Sequence, residues 1–303
     1  MHTSTLRRRA ARWGTAALLA AVPAVLAVPV HATAGRAGSN GNGNGNGIPF
    51  PPNGQAALAV DGHRAASGPV GTPQPIASVT KIMTAYQVLL DHPLRPGDQG
   101  PTITISASEA TAYRAARRGG ESVIPVAAGE RITEHKALEA MLLPSANDIA
   151  RLLARWDAGS VGGFAARMNA TAAGLGMSRT HYADPAGVDT GTVSTAPDQL
   201  LLDQAAMANP VLAGVVGERS ATVPAAGTVH TSNPLVGTGG FIGTKTGWTT
   251  PAGQCLMFTA RETDRRGDVH MVYGVLLGQP GGPKSGAVFT TAARMVRAAR
   301  ARL

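Results

Sequence analysis

The chain has 303 residues, 44% hydrophobic and 15% charged, enough apolar material for a buried core and too much for a disordered polymer. Aromatics make up only 4%, so the core is expected to be aliphatic and alanine-rich, and the 38 glycines follow no three-residue period, which excludes a collagen-like chain. The formal charge of +9 is raised by Arg7, Arg8, Arg9 and Arg12 at the extreme N-terminus, and no basic patch is interleaved with aromatics, so nucleic acid is not an expected partner. A single cysteine, Cys255, excludes an internal disulfide and a multi-cysteine metal site.

Residues 1–34 read as a secretory signal peptide. The arginines supply a positive start, Gly14 to Val30 is an apolar run, and Ala32-Thr33-Ala34 offers small residues for cleavage. The run is short for a spanning helix and contains Pro23 and Pro29, which favours a cleaved signal over a retained anchor. Either the general or the twin-arginine export route is compatible with it, and both place the protein outside the cytoplasm. Residues 35–54 read as a tether: Asn-Gly repeats bury nothing, and Pro49, Pro51 and Pro52 stiffen the end. The folded domain is expected over residues 55–303.

In chain order, Ala56 to Asp61 is a first strand ended by Gly62, and Ser78 to Leu90 carries helical spacing stopped at Pro93. Thr102 to Ile105 is a short strand. Thr133 caps a helix through Leu142, broken at Pro144. Ser145 opens the next helix, with Ile149, Leu152, Leu153 and Trp156 on one face, and Ser145 with Asp148 has the form of a capping box. Phe164 to Leu175 and Ala196 to Met207 are helical, Gln254 to Arg261 and His270 to Leu277 are strands, and an Arg-bearing helix closes the chain from Thr290. Strands at both ends with helices between predict a mixed α/β fold: one sheet completed by its C-terminal strands, plus a helical subregion.

The chain has only four lysines, Lys81, Lys136, Lys245 and Lys284, against a large excess of Arg. An amine can be made to lose its proton where a guanidinium cannot, so the retained lysines invite inspection. Ser78-Val79-Thr80-Lys81 sets a hydroxyl and an amine three apart on one helix face, where an uncharged Lys can take the serine proton. Ser145-Ala146-Asn147 opens a helix; its bland reading is the cap. Lys245-Thr246-Gly247 follows Gly239-Gly240 and precedes a strand; it offers a cation, a hydroxyl and open backbone suited to a carboxylate, and its bland reading is a surface turn. Lys284-Ser285-Gly286 competes with it but leads into a helix and reads as a loop. Cys255 reads as an inert buried thiol and His230 as a residue beside the third motif. The eight histidines show no metal-ligand spacing.

Together the three motifs, in this order and 67 and 100 residues apart, resemble those of the penicillin-recognising serine acyl-transferases. Within that superfamily the chain resembles the D-alanyl-D-alanine carboxypeptidases, the low-molecular-mass penicillin-binding proteins. The flanking text agrees: Ala77-Ser78-Val79-Thr80-Lys81-Ile82-Met83-Thr84-Ala85, Met141-Leu142-Leu143-Pro144-Ser145-Ala146-Asn147-Asp148, and Ser194-Thr195-Ala196. Trp248 departs from the family's usual Tyr or His. The resemblance implies a β-lactamase/transpeptidase-like fold, a largely antiparallel sheet flanked by helices. It further implies Ser78 as the acylated nucleophile, Lys81 as its base, and Ser145 as a proton relay to the leaving amine. Asn147 would orient Lys81, Lys245 and Thr246 would hold the substrate carboxylate, and the backbone at Ser78 and Trp248, with Gly247 between, would form the oxyanion hole. Lys245 is expected to depress the Lys81 pKa by like charge. No metal or organic cofactor is implied. The expected partners are peptidoglycan stem peptides ending in D-Ala-D-Ala, with β-lactams as covalent inhibitors; β-lactamase, endopeptidase and a non-catalytic wall-binding role remain the alternatives.

Overall fold

The strand Gln55–Val60 (β1) sends alternate side chains to opposite faces of a sheet: Ala57 and Ala59 into one apolar cluster, Ala56 and Leu58 into another. The computed structural model describes residues 47–303, so the expected signal peptide and most of the expected tether lie outside the described residues. The end of that tether is not free: Ile48 is buried and Phe50 packs beside it in the second cluster, because apolar side chains resume as soon as the Asn-Gly repeats end.

β1 turns into His63–Ser67 (β2), followed by Gln74–Pro75 (β3). A 3-10 turn over Ala77–Thr80 then feeds Lys81–Asp91 (α1). The helical subregion follows: Thr102–Thr104 (β4), Ala107–Arg118 (α2), Arg131–Thr133 (β5), Glu134–Leu142 (α3), Asn147–Ala158 (α4) and Val161–Gly174 (α5). After Val193–Ser194 (β6) come Ala196–Met207 (α6), Pro210–Val216 (α7) and the hairpin Ser220–Val223 (β7) with Gly227–His230 (β8). Phe241–Thr249 (β9), Gly253–Thr263 (β10), Val269–Gln279 (β11) and Ala287–Arg300 (α8) complete the chain.

The main sheet has the order β2-β1-β11-β10-β9, all neighbours antiparallel. β10 and β11 are buried on both faces. Cys255, Met257, Val275 and Leu277 face the cluster that α1 and α3 to α7 share, while Leu256, Phe258, Val272 and Leu276 face the cluster that α8 covers with Val288, Ala292, Met295 and Val296. This explains why these strands read as continuous apolar runs. α1 is buried almost all round, with Ile82, Met83, Ala85 and Val88 inaccessible along with Lys81 and Thr84. It is the central helix of the fold, not an amphipathic surface one.

Several expectations need correction. The Ser78–Leu90 helix begins as a tighter turn, so Lys81 is the first residue of α1. α2 and α7 were not expected, although Ser106 and Glu109 form a full capping box and Asn209 caps the latter. β9 was not expected either: its glycines disguise a strand, and Lys245-Thr246-Gly247 lies inside it, not in a turn before a strand. Thr133 does cap α3, accepting from the Lys136 N–H at 3.2 Å.

Candidate active site

Ser78 sits in the 3-10 turn, preceded by Ala77 at φ 49, a left-handed conformation that a residue with a side chain seldom adopts. Such strain persists where surrounding packing holds it, and it commonly marks a site of chemistry. The turn places Ser78 Oγ 2.8 Å from Lys81 Nζ. Lys81 is wholly buried, and its amine also donates to Asn147 Oδ1 at 2.7 Å and to the Ala186 carbonyl at 2.8 Å. Burial pulls the Lys81 pKa well below the ordinary lysine value, and the charge of Lys245 pulls it further, against Asp184 and Asp148. Like-charge repulsion thus acts as expected, as the second cause and not the first.

The Ala186 carbonyl belongs to a loop with a precise need for glycine. Gly187 is at φ 76, and a side chain there would collide with the Ala77 carbonyl. Asp184 shapes this loop by accepting from the N–H groups of Ala186, Gly187 and Val188 and from the Thr192 hydroxyl. Thr84 Oγ1 ties it to α1 through the Pro185 carbonyl at 2.6 Å. Asp184 is therefore a turn residue, as its place before Pro185 suggests.

Asn147 opens α4 and reaches Lys81 directly. Ser145, two residues earlier, is not the cap: Ala146 occupies that position without a side-chain hydrogen bond, and Ser145 stands at φ 68. No side-chain hydrogen bond caps α4, which overturns the capping-box expectation. Among the described residues no protein group is hydrogen-bonded to Ser145 Oγ, so the structure brings Ser145 beside Asn147 without joining it to Lys81 or Lys245.

β9 is the edge strand that lies against the Ser78 turn. A Cβ on Gly247 would stand 3.0 Å from the Ser78 nitrogen and 3.2 Å from Ala77 Cβ, so glycine permits the strand edge to lie against the serine turn. Lys245 is buried, and burial lowers its pKa to about 7; its amine donates to the Thr246 carbonyl at 3.0 Å. Thr246 Oγ1 lies 2.6 Å from Ser232 Oγ. Trp248 is partly exposed, and its indole N–H donates to the Gly281 carbonyl at 3.1 Å.

Residue-type patterns missed three contributors. Glu121 accepts from Asn147 Nδ2 at 3.0 Å and from Arg151 at 2.7 Å, and Ala186 acts through its backbone. The signal for Glu121 was weak, a lone carboxylate after Gly119-Gly120. Of the other residues singled out, Cys255 is buried with its thiol pushed up to about 12, as expected of an inert one. His230 is exposed at the end of β8. Among the described residues, spacing did not reveal one grouping: His135, Glu139 and Glu218 bring ligand atoms within 4.8 Å of one another. Lys136 already occupies Glu139 at 2.7 Å, and His135 pairs with the same carboxylate at 3.1 Å.

A buried lysine amine on a serine hydroxyl, beside a Lys-Thr-Gly strand at the edge of an antiparallel sheet, defines the active-site-serine proteins of the β-lactamase/transpeptidase-like fold. The chain belongs to the D-alanyl-D-alanine carboxypeptidase family, whose model matches residues 65–275. It is 36% identical over 167 residues to the D-alanyl-D-alanine carboxypeptidase DacB2 of Mycobacterium tuberculosis, covering 53% of this chain and 56% of that protein. It is also 36% identical over 205 residues to a D-alanyl-D-alanine endopeptidase of Pseudomonas aeruginosa, covering 65% and 62%. The matched stretches thus span less than two thirds of these curated relatives. A crystal structure of a D-alanyl-D-alanine carboxypeptidase from Mycobacterium tuberculosis superposes with a TM-score of 0.71 at 28% identity, covering 84% of this chain and 93% of that one.

Proposed function

We propose that this protein is an exported serine D,D-carboxypeptidase that removes the terminal D-alanine from peptidoglycan stem peptides through an acyl-enzyme on Ser78. The observation that carries this reading is the three-way setting of the Lys81 amine. Two carbonyl oxygens, from Asn147 and Ala186, take two N–H groups at 2.7 and 2.8 Å. Nζ stands 2.8 Å from Ser78 Oγ; once the amine is uncharged it has two N–H groups and one lone pair, so with both N–H groups taken the lone pair is left for the Ser78 proton.

Ser78 Oγ attacks the carbonyl carbon of the penultimate D-Ala while its proton passes to Lys81 Nζ. Lys245 and Thr246 hold the terminal carboxylate, and the backbone N–H groups of Ser78 and Trp248 receive the oxyanion. Collapse breaks the peptide C–N bond; the departing D-Ala amine gains a proton through the Ser145 hydroxyl, and water then hydrolyses the ester. The apolar, arginine-led N-terminus supports a site outside the cytoplasmic membrane, where this substrate lies. Incubating a D-Ala-D-Ala-ended peptide with the protein and following the mass of one lost alanine tests the reading. Cleavage by wild type and none by Ser78→Ala is expected; equal cleavage by both overturns it. Cleavage of a cross-linked dimer in preference to the linear peptide would favour endopeptidase action, the activity named for the Pseudomonas relative.

A further inference from the structure

The amide of Asn147 has two ends, and the role of Lys81 depends on which end faces it. With Oδ1 toward Lys81, as the structure has it at 2.7 Å, the amide accepts an N–H from the amine. Turned over, Nδ2 would donate into the lone pair of an uncharged Lys81, and the base for Ser78 would be quenched. Nothing within Asn147 itself prefers one end, since the two are nearly equal in size.

Glu121 supplies the preference. It lies in the loop after α2, and one carboxylate oxygen accepts from Asn147 Nδ2 at 3.0 Å. A carbonyl oxygen in that place would meet a carboxylate oxygen, two acceptors with no proton between them. Arg151, one turn along α4 from Asn147, donates to the same Glu121 oxygen at 2.7 Å and so holds the carboxylate in place. The loop itself is fixed to the start of α4: the Asn147 N–H donates to the Ser122 carbonyl at 2.7 Å, and Ser122 Oγ to the Pro144 carbonyl at 3.3 Å. A continuous series therefore runs from Arg151 through Glu121, Asn147 and Lys81 to Ser78.

We infer that Glu121, held by Arg151, is a positioning residue for acylation: it locks the Asn147 amide so that Lys81 keeps its lone pair for Ser78. It touches neither the nucleophile nor the base and acts only through Asn147. The inference rests on the acyl-enzyme reading above.

The test is the rate of covalent labelling of the full chain by a fluorescent penicillin. Glu121→Ala should label about 10- to 100-fold more slowly, the size of effect expected when a catalytic group is held in the wrong geometry. Glu121→Gln should recover most of the rate, because its amide oxygen still accepts from Asn147 Nδ2. The decisive measurement is a double-mutant cycle: in an Asn147→Ala background, Glu121→Ala should cost less than about twofold, since there is no amide left to orient. The Glu121 side chain is about a quarter exposed, and a melting curve recorded beside each labelling rate separates slowed acylation from lost folding. Wild-type labelling by Glu121→Ala, or the same fold-loss with and without Asn147, overturns the inference while the acyl-enzyme reading stands. Absence of labelling in the wild-type protein overturns both.

Discussion

The Ala77 carbonyl fills the space that a side chain on Gly187 would need, so the serine turn and the loop beneath it are in direct backbone contact. That contact carries the Ala186 carbonyl to Lys81 on one side, while Gly247 brings the edge strand to Ser78 on the other. Ser78 is held between two glycines with different tolerances, and this separates their mutants. Gly187→Ala should lose stability and activity together, with a fall in melting temperature of several degrees, because both its φ and its neighbour forbid a Cβ. Gly247→Ala should melt within a few degrees of wild type yet acylate about 10- to 100-fold more slowly, its Cβ pressing β9 off the turn. Equal loss of stability in both would contradict the distinction.

The proposed mechanism asks opposite protonation states of the two buried lysines: Lys81 uncharged to take the Ser78 proton, and Lys245 charged to hold a carboxylate. With burial setting Lys245 at about 7, kcat/KM should fall as pH rises past that value in the free enzyme. Lys245→Arg stays charged and should lose this alkaline limb while remaining active; Lys81→Arg, unable to act as a base, should lose at least about a hundredfold at every pH. A pH profile whose alkaline limb is unchanged in Lys245→Arg would remove Lys245 as its source.

Asp203 lies wholly buried beneath β9 and β10, accepting from Thr244 at 2.8 Å and Thr259 at 3.0 Å. Burial raises its pKa to about 8, so the folded protein keeps the proton that the unfolded chain releases near 4. Its contribution to stability is complete below the unfolded value and is lost as pH rises through about 8. An asparagine at this position cannot ionise, and its amide offers a donor and an acceptor where the neutral acid has them. In urea melts between pH 5 and 8, the stability of Asp203→Asn relative to wild type should therefore rise by up to about 1.4 kcal/mol per pH unit. A constant difference across that range would mean that Asp203 is ionised in the fold.

Penicillin should form a long-lived adduct. Rapid release of a β-lactam ester needs a positioned base for water, a dedicated Glu in class A β-lactamases. Here no Glu occurs between Asn147 and Glu218, and Glu218 faces His135 and Glu139 of α3. Intact-mass spectra after mixing with excess penicillin should show one persistent adduct, absent in Ser78→Ala. Quick return of free protein with consumption of the drug would point to β-lactamase action instead.

What the sequence determined by itself was chemical identity and local order: a hydroxyl and an amine three residues apart, an amide opening a helix, and a Lys-Thr-Gly segment before apolar strands. Spacing at this range is set by helix and strand geometry, so Ser78 and Lys81 were already neighbours, and the doubly buried β10 and β11 showed as apolar runs. Tertiary structure decided the rest. Glycine-rich β9 became a strand only because β10 supplies its hydrogen-bonding partner, and Ser145 left the capping position because its backbone turns left-handed. The Ala186 carbonyl and the Glu121 carboxylate reach the lysine and the amide from residues 105 and 26 positions away, respectively. A backbone carbonyl carries no residue-type signal, and a carboxylate's partner is fixed by how loops pack against α1 and α4, a property of the folded chain and not of any segment read alone.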